Sequence, residues 1–375
     1  MIKAIKFVDR YIGNVLCVVI GAFSKFFRRK AEYQSKNILV IQLWGIGETI
    51  LTLPALHALR LRFPKSKITV VTTQRNRDVY IGNKDIDRII TVGLSPVSIL
   101  SFMKKHFREF DMAIDMEEYL NISALIGFFV GKYRIGFANQ IRSLLYDKKV
   151  IYNDQQHVVE TYLDLVGSVG AKYENVKLPK LVVTKKDKDY VKKLLKKFKI
   201  KKESFIVGIA PGVAESSKSR MWPKERYAKL ADKLIEKYNA VIFFVGSKEE
   251  AELVSHIQFL MKHKKKTFNF AGKITLRQSF YLIEQCKIFI SNDSGLMHVA
   301  AAQGVKTIGL FGPNLPLRWK PFGNKNSFVY KPVKCSPCIN VHKGQVPECR
   351  YGKNNRCMKL ITVNDVLEVV DELVG

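Results

Sequence analysis

The chain has 375 residues, of which 47% are hydrophobic, and this length and composition predict two folded domains with full cores. Its 63 Lys and Arg residues against 33 Asp and Glu residues give a net charge of +30, which suits work near nucleotide phosphates or an anionic membrane face. No signature of an RNA- or DNA-binding module is present, so nucleic acid is not an expected partner.

Residues 1–34 differ in composition from the rest of the chain. The run Tyr11–Ser24 carries no charge, but its fourteen residues are fewer than the ~18–20 that span a bilayer as a helix. A basic cluster follows: Lys25, Arg28, Arg29 and Lys30. This pattern favours a membrane-interface helix with a basic flank, which the globular part would not need for its own fold. A secretory signal peptide, cleaved near Ala22-Phe23-Ser24, and a buried N-terminal helix remain alternatives.

Residues 35–184 are predicted to form the first domain. It opens with a strand at Asn37–Gln42, followed by a turn that contains Gly45, Gly47 and Glu48. The two glycines fit a dinucleotide-binding turn, but Ile50 stands where the third glycine is expected, and the second strand has no acidic end. Both departures argue against a nicotinamide enzyme. Glu48 lies at the carboxyl edge of the strand, either as a general base or as a residue that caps the next helix.

The second predicted domain, residues 185–375, begins with a lysine-rich helix and a strand at Phe205–Ala210. A polar loop follows this strand, and its candidate ligand-binding residues are Gly212, Ser217, Lys218 and Arg220. Because the loop leaves the carboxyl end of a strand, its cations are expected at the edge of the sheet, where α/β proteins bind ligands. An ordinary Ser- and Lys-rich surface loop is the alternative.

The stretch Ile288–Pro313 reads as a strand, a polar turn, a buried helix and a second buried strand, which is a parallel βαβ unit. The turn supplies Asp293, Ser294 and Gly295, and His298 follows one helical turn later. Free backbone N–H groups and the helix dipole suit such a turn to a phosphate, with Asp293 and Ser294 as caps. A capped core helix without a ligand would show a similar pattern.

Four of the six cysteines lie in the tail: Cys335, Cys338, Cys349 and Cys357. Their spacing is compatible with a structural zinc ion, two disulfides or four free thiols. So few cysteines favour a reducing compartment.

Three patches in this order resemble glycosyltransferase family 9, the lipopolysaccharide heptosyltransferases. They are the Gly-Ile-Gly-Glu turn, Pro-Gly followed by Arg-x-Trp-Pro, and Asn-Asp-Ser-Gly-x-x-His. The resemblance implies an α/β fold of the GT-B arrangement, in which two Rossmann-like domains face each other across a cleft. It also implies that no metal and no cofactor take part. Glu48 stands where the family has an aspartate base, and Lys218 or Arg220 would hold the donor diphosphate. Asp293, Ser294, Gly295 and His298 would contact the donor, and the Gly45–Gly47 turn would lie on the acceptor side.

The sequence therefore predicts an inverting, metal-independent glycosyltransferase that moves a sugar, expected to be heptose from ADP-heptose, onto a lipopolysaccharide or lipooligosaccharide core. Its expected partners are a nucleotide-sugar donor, a lipid-linked oligosaccharide acceptor and the anionic inner-membrane surface. Its expected location is the cytoplasmic side of that membrane, with peripheral attachment. A non-catalytic nucleotide-sugar or glycan-binding protein, and less readily a Rossmann oxidoreductase, are the alternatives.

Overall fold

The computed structural model describes residues 2–24, 35–201, 203–345, 348–349, 352 and 355–375. Its contacts divide the chain into two units, the first comprising Met1–Val176 with Val341–Gln345 and the second comprising Lys177–Asn340 with Val346–Gly375. The first unit thus ends before residue 184, where the sequence places the boundary. It also includes the N-terminal segment, which the sequence treats as separate, and a short piece of the tail.

The first unit is a parallel six-stranded sheet with helices between its strands. The strands are β1 (Asn37–Ile41), β2 (Lys67–Thr72), β3 (Arg88–Thr91), β4 (Phe110–Asp115), β5 (Gly131–Phe137) and β6 (Lys148–Val150). The helices are α1 (Ile2–Ser24), α2 (Ile46–Arg62), α3 (Arg77–Tyr80), α4 (Pro96–Lys105), α5 (Asn121–Val130) and α6 (Val158–Gly167), with 3₁₀ turns at Ile141–Leu145 and Val341–Lys343. The strand order is β3-β2-β1-β4-β5-β6, and every pair is parallel.

The second unit repeats this architecture. Its strands are β7 (Ile206–Ala210), β8 (Val241–Phe244), β9 (Thr267–Asn269), β10 (Ile288–Asn292), β11 (Lys306–Phe311) and β12 (Ser327–Tyr330). Its helices are α7 (Lys185–Lys197), α8 (Lys224–Tyr238), α9 (Ala251–Leu260), α10 (Leu276–Glu284), α11 (Gly295–Ala302), α12 (Pro316–Trp319), α13 (Arg356–Leu360) and α14 (Val363–Val374). Turns of 3₁₀ helix lie at Glu215–Arg220, Lys248–Glu250 and Lys264–Lys266. The parallel sheet has the order β12-β11-β10-β7-β8-β9.

The strand orders decide which loops meet. In the first sheet β1 pairs with both β2 and β4, so the chain reverses direction across the sheet beside β1. In the second sheet β7 pairs with β10, with Ala210 opposite Ser291. Ligands of open α/β sheets bind at such switch points, outside the carboxyl ends of the strands. The prediction of two Rossmann-like α/β domains is confirmed. In each domain, a buried apolar strand directly precedes the loop that the sequence predicts to carry site residues.

Helix α1 packs on the first unit along one face. Cys17 is fully buried in the core of this unit, and Gly13 and Gly21 allow close approach, because a Cβ at either would lie 2.7–2.8 Å from Asn121 or Leu144. The Asp9 carboxylate accepts hydrogen bonds from the backbone N–H groups of Asn121 (3.0 Å) and Ile122 (2.8 Å) at the start of α5. Two free N–H groups of that helix thereby find a charged acceptor.

The opposite face of α1 is apolar and exposed. Its large side chains are 42–63% accessible: Phe7, Val8, Tyr11, Ile12, Val15, Leu16, Val18, Val19 and Phe23. Among the described residues, no helix is both long enough and apolar enough to cross a membrane. The helix therefore combines features of two sequence hypotheses, since one face docks as a domain helix would and the other remains available to an interface. The basic cluster at residues 25–30 lies outside the described residues.

Candidate active site

The turn between β1 and α2 holds Glu48 in the first turn of the helix. Gly45 precedes this helix with φ +68°, a conformation that favours glycine, and a Cβ there would overlap the Glu48 carboxylate. The half-buried Glu48 side chain is thus folded over the backbone of Gly45, and Gly47 is buried beside it in α2.

The buried carboxyl of Glu117, two residues after the end of β4, fixes the backbone of the same turn. Glu117 Oε1 accepts hydrogen bonds from the N–H groups of Leu43 (2.6 Å) and Trp44 (2.7 Å) and from Gln42 Nε2 (3.2 Å). Burial, and after it the neighbouring Asp115 carboxyl, raise the pKa of Glu117 to about 8. The turn is therefore tied to the carboxyl end of the adjacent strand, 74 residues along the chain.

Asp115, at the end of β4, anchors Glu117 in turn. Its carboxylate accepts from the Glu117 N–H (3.0 Å), Ser123 Oγ (2.8 Å) and Tyr146 Oη (2.6 Å), and it lies 3.7 Å from the guanidinium of the buried Arg142. Arg142 Nη1 also donates to the carbonyl of Leu120 at 2.7 Å. Burial raises the pKa of Asp115, while Arg142 and these donors lower it. This network was not predicted from the sequence, although the acidic residues that follow β4 could have indicated it.

From the β2 side, Asn76 and Thr73 complete the support of the turn. Asn76 Nδ2 donates to the carbonyl of Gln42 (3.0 Å), and Thr73 Oγ1 donates to the carbonyl of Leu43 (2.9 Å). The turn is thus held from the ends of both neighbouring strands before any ligand binds. Such preorganisation is what positioning a catalytic side chain requires.

In the second unit, the loops after β7 and β10 meet through an ion pair. Arg220 Nη1 lies 3.2 Å from Asp293 Oδ2, and Asn314 Nδ2 donates to the same carboxylate at 2.8 Å. The two loops are also joined by Asn292, whose side chain donates to the carbonyl of Pro211 (2.7 Å) and accepts from the N–H of Trp222 (3.1 Å). Neither Asn292 nor Asn314 was singled out from the sequence.

The start of α11 differs from the capping that the sequence predicts. Ser294 is the residue before the helix, but its side chain makes no capping hydrogen bond and instead lies 3.0 Å from Ser291 Oγ. Asp293 is engaged by Arg220 and Asn314 rather than acting as a cap. Within the described part of the chain, the first turn of α11, beginning at Gly295, therefore has no N-cap side-chain hydrogen bond. Backbone N–H groups at an uncapped helix start suit an anion.

His298 is the fourth residue of α11 and is 2% exposed. Its burial and the charge of Arg220 lower its pKa to about 3, so the imidazole is neutral at physiological pH. Among the described residues, neither His298 Nδ1 nor Arg220 Nε has a hydrogen-bond partner. Since buried polar atoms in folded proteins are nearly always paired, these two atoms mark a place where a ligand would complete the hydrogen bonding.

The structure separates the two cations that the sequence leaves as alternatives. The Lys218 side chain is 65% exposed and pairs with Glu215 at 2.6 Å, whereas Arg220 lies at the Asp293 carboxylate. Ser217 is buried in the 3₁₀ turn. Gly212 is buried where a Cβ would overlap the Glu250 carboxylate. Of the predicted loop residues, Arg220 is the one that meets the Asp293–His298 group.

The four tail cysteines line one small cavity of about 20 Å³ in the second unit. No disulfide joins them in the described part of the chain, and burial followed by the neighbouring thiols raises the pKa of Cys357 to about 11. Among the described residues, no group of three His, Cys, Asp or Glu side chains is placed to hold a metal ion.

Comparison with known proteins identifies the family. Residues 99–346 match the model of glycosyltransferase family 9 (heptosyltransferase). The lipooligosaccharide heptosyltransferase 2 of Haemophilus influenzae is 28% identical over 90% of this chain and 99% of its own length. A family 9 glycosyltransferase structure from Veillonella parvula superposes with a TM-score of 0.77 at 22% identity, over 93% of this chain and 99% of that one. The structure of E. coli ADP-heptose lps heptosyltransferase II superposes with a TM-score of 0.71 at 24% identity, over 90% of this chain and 98% of that one. Two Rossmann-like units, the matched motifs and these likenesses agree: the chain belongs to glycosyltransferase family 9, the heptosyltransferases.

Proposed function

We propose that this glycosyltransferase moves heptose from ADP-heptose onto a lipopolysaccharide or lipooligosaccharide core, with inversion and without a metal ion. The proposal follows from family membership and from relatives that are heptosyltransferases of these cores. The observation that carries it is the group formed by Arg220, Asp293 and His298 at the uncapped start of α11.

On the donor side, the α11 start and Arg220 would bind the diphosphate. When the bond to the sugar breaks, the leaving nucleotide diphosphate gains negative charge. The Gly295 N–H and the Arg220 guanidinium would stabilise that charge in place, which is the role a metal ion serves in other enzymes of this chemistry. The neutral His298 would offer Nδ1 to a polar group of the donor.

Asp293 would act on the donor through Arg220. Its carboxylate is engaged by Arg220 and Asn314. A carboxylate in direct contact with the diphosphate would repel it, since both are negatively charged. We therefore assign Asp293 as a positioning residue that orients the guanidinium, and not as a direct phosphate contact. Lys218, exposed and paired with Glu215, has no assigned role in binding the diphosphate.

On the acceptor side, Glu48 would remove the proton from the acceptor hydroxyl as its oxygen attacks the anomeric carbon. The turn that carries Glu48 is fixed by Glu117, Asn76 and Thr73, so the carboxylate would start the reaction from a defined position. Glutamate in place of the family's aspartate extends the base by one methylene.

The location of the reaction would be the cytoplasmic face of the inner membrane. The exposed apolar face of α1 would enter the interface, and the positive charge of the chain would favour its anionic lipids. Apolar burial combined with charge gives attachment that weakens at high salt.

Turnover tests the proposal. Purified full-length protein is incubated with ADP-heptose and a heptose-free core acceptor, and the product is analysed by mass spectrometry. The expected result is transfer of one heptose with release of ADP. Binding of ADP-heptose without turnover would favour a non-catalytic binding protein, and reduction of a nicotinamide cofactor would favour an oxidoreductase. Either outcome would contradict the proposal.

A further inference from the structure

Arg75 lies in the loop between β2 and α3, at the carboxyl edge of the first sheet. Its guanidinium carbon is 5.6 Å from the centre of the Trp44 ring, which is within the range of a cation–π contact. The Glu48 carboxylate lies over Gly45, the residue that follows Trp44. Arg75 and the proposed base therefore lie beside the same turn, and the reaction described above assigns no role to Arg75.

The residue that follows Arg75 fixes the loop in this place. Asn76 is fully buried, and its Nδ2 donates to Thr49 Oγ1 at 2.8 Å, while its Oδ1 accepts from the backbone N–H of Thr73 at 3.1 Å. Thr49 directly follows Glu48 in α2. Arg75 and Glu48 are thus each one residue away from the hydrogen-bonded pair Asn76–Thr49, so the same buried contact holds the backbone of both.

The charge of Arg75 is not neutralised within the first unit. Three other arginines of this unit pair with carboxylates: Arg60 with Asp87, Arg88 with Glu109, and Arg134 with Asp147. Arg75 is exposed, and in the described part of the chain no carboxylate forms an ion pair with its guanidinium. Because the Trp44 ring offers no oxygen acceptor, the N–H donors of Arg75 stay available to a ligand.

The chemistry of Arg75 suits an anion on the acceptor. A guanidinium stays charged at physiological pH, and its fork of N–H donors matches the oxygens of a carboxylate or a phosphate. Glu48 must be ionised to accept a proton, so it would repel an anionic acceptor unless a cation stood beside the two. Arg75 can supply that cation and leave the base free, because the described residues show no ion pair between Arg75 and Glu48.

We propose that Arg75, held over Trp44, binds an anionic group of the acceptor, a phosphate or a carboxylate, and so places the acceptor hydroxyl at Glu48. The identity of the acceptor rests on the proposed function. Arg75 is then a specificity-determining residue, which selects acceptors that carry a negative charge near the reacting hydroxyl.

Calorimetry tests the proposal with the full-length chain and three forms of a water-soluble core oligosaccharide: intact, phosphatase-treated and carboxyl-reduced. The wild type is expected to bind the intact form about tenfold more tightly than at least one treated form, the scale of a hydrogen bond between charged groups. Arg75→Gln should bind that form and the intact one equally, and the form that shows this loss identifies the anion. Equal wild-type affinity for all three forms, or a preference that Arg75→Gln retains, would overturn the proposal.

Arg62→Gln is the matched control. Arg62 is also exposed and also lies over an aromatic ring, 5.1 Å from the centre of the Phe63 ring, but it stands at the opposite end of α2 from Glu48. It should keep the wild-type preference. Equal loss in the two variants would overturn the proposal, since it would show attraction to the net charge alone.

Steady-state kinetics separate acceptor binding from the other steps. Arg75→Gln should raise the acceptor KM about tenfold, while its affinity for ADP-heptose stays that of the wild type. Weaker binding of ADP-heptose would overturn the proposal, because Arg75 would then act on the donor. Thermal melting checks the fold of each variant. If the wild type shows the preference for the anionic oligosaccharide but transfers no heptose to it, the proposed function fails and the anion site stands.

Discussion

Replacing Glu117 with Gln should change how the stability of the first unit depends on pH. Gln retains the side-chain oxygen that accepts from Leu43 and Trp44, but it cannot titrate. In the folded chain the pKa of Glu117 is about 8, against an ordinary value of 4.5. Between these values the folded carboxyl keeps its proton and the unfolded one has released it. The folded state therefore binds more protons, and its stability falls as pH rises through this window.

The expected magnitude follows from these two pKa values. From pH 6 to pH 8 the unfolded carboxyl stays ionised, while the folded one goes from protonated to half ionised. At ~1.4 kcal/mol per pH unit, the wild type should lose ~2 kcal/mol of unfolding free energy through Glu117 over this interval. Glu117→Gln should lack that loss, while the other titrating groups contribute equally to both proteins.

Pulsed hydrogen exchange in increasing urea, read on peptides of the first unit, measures this free energy separately from that of the second unit. Glu174→Gln, which alters an exposed carboxylate of the same unit, is the control and should follow the wild type. An identical pH dependence in wild type and Glu117→Gln would refute the reasoning, because Glu117 would then be ionised in the folded chain at pH 6.

Three further predictions concern the donor site, the metal and α1. Arg220→Ala should weaken ADP-heptose binding at least tenfold, because a hydrogen bond to a charged group contributes ~1.5–3 kcal/mol. The control Lys229→Ala, on α8, should bind like the wild type. Calorimetry measures both affinities, and equal affinities would show that Arg220 does not contact the donor. Transfer should persist in excess chelator, and activity restored only by Mg²⁺ or Mn²⁺ would contradict the metal-free mechanism. Asp9→Ala should lower the stability of the first unit by ~1–2 kcal/mol, because α5 loses its N-terminal acceptor, and an unchanged urea midpoint would show that α1 is not docked in solution.

The sequence predicted what depends on neighbouring residues. The strand, turn and helix around Asp293 have local signatures in apolar runs, a Gly and a helix of small residues, and all appear where expected. The position of Arg220 in a loop after β7 also follows from local pattern. Which of Arg220 and Lys218 lies at Asp293 could not be predicted from local pattern. It depends on how the 3₁₀ turn at Glu215–Arg220 directs two side chains that are two residues apart.

Contacts between distant segments account for what the sequence could not predict. Glu117 reaches the turn before Glu48 across 74 residues, and Asp9 reaches α5 across more than 100. The apolar sequence of α1 is compatible with contact to lipid and with contact to protein, so the sequence does not distinguish the two. Only the packing shows that Cys17 faces the core while Val15 faces outward. The sequence led us to expect that the globular part folds without this segment, and the structure shows α1 packed on the first unit.

Substitution of the proposed base tests the central claim most directly. In Glu48→Gln, ADP-heptose affinity should equal that of the wild type, and single-turnover transfer to the core acceptor should slow ~10²–10⁴-fold, the range for loss of a general base. Glu174→Gln should transfer at the wild-type rate. If Glu48→Gln transfers heptose at a near-wild-type rate, Glu48 is a structural residue of the α2 start and the mechanism proposed for this enzyme is contradicted.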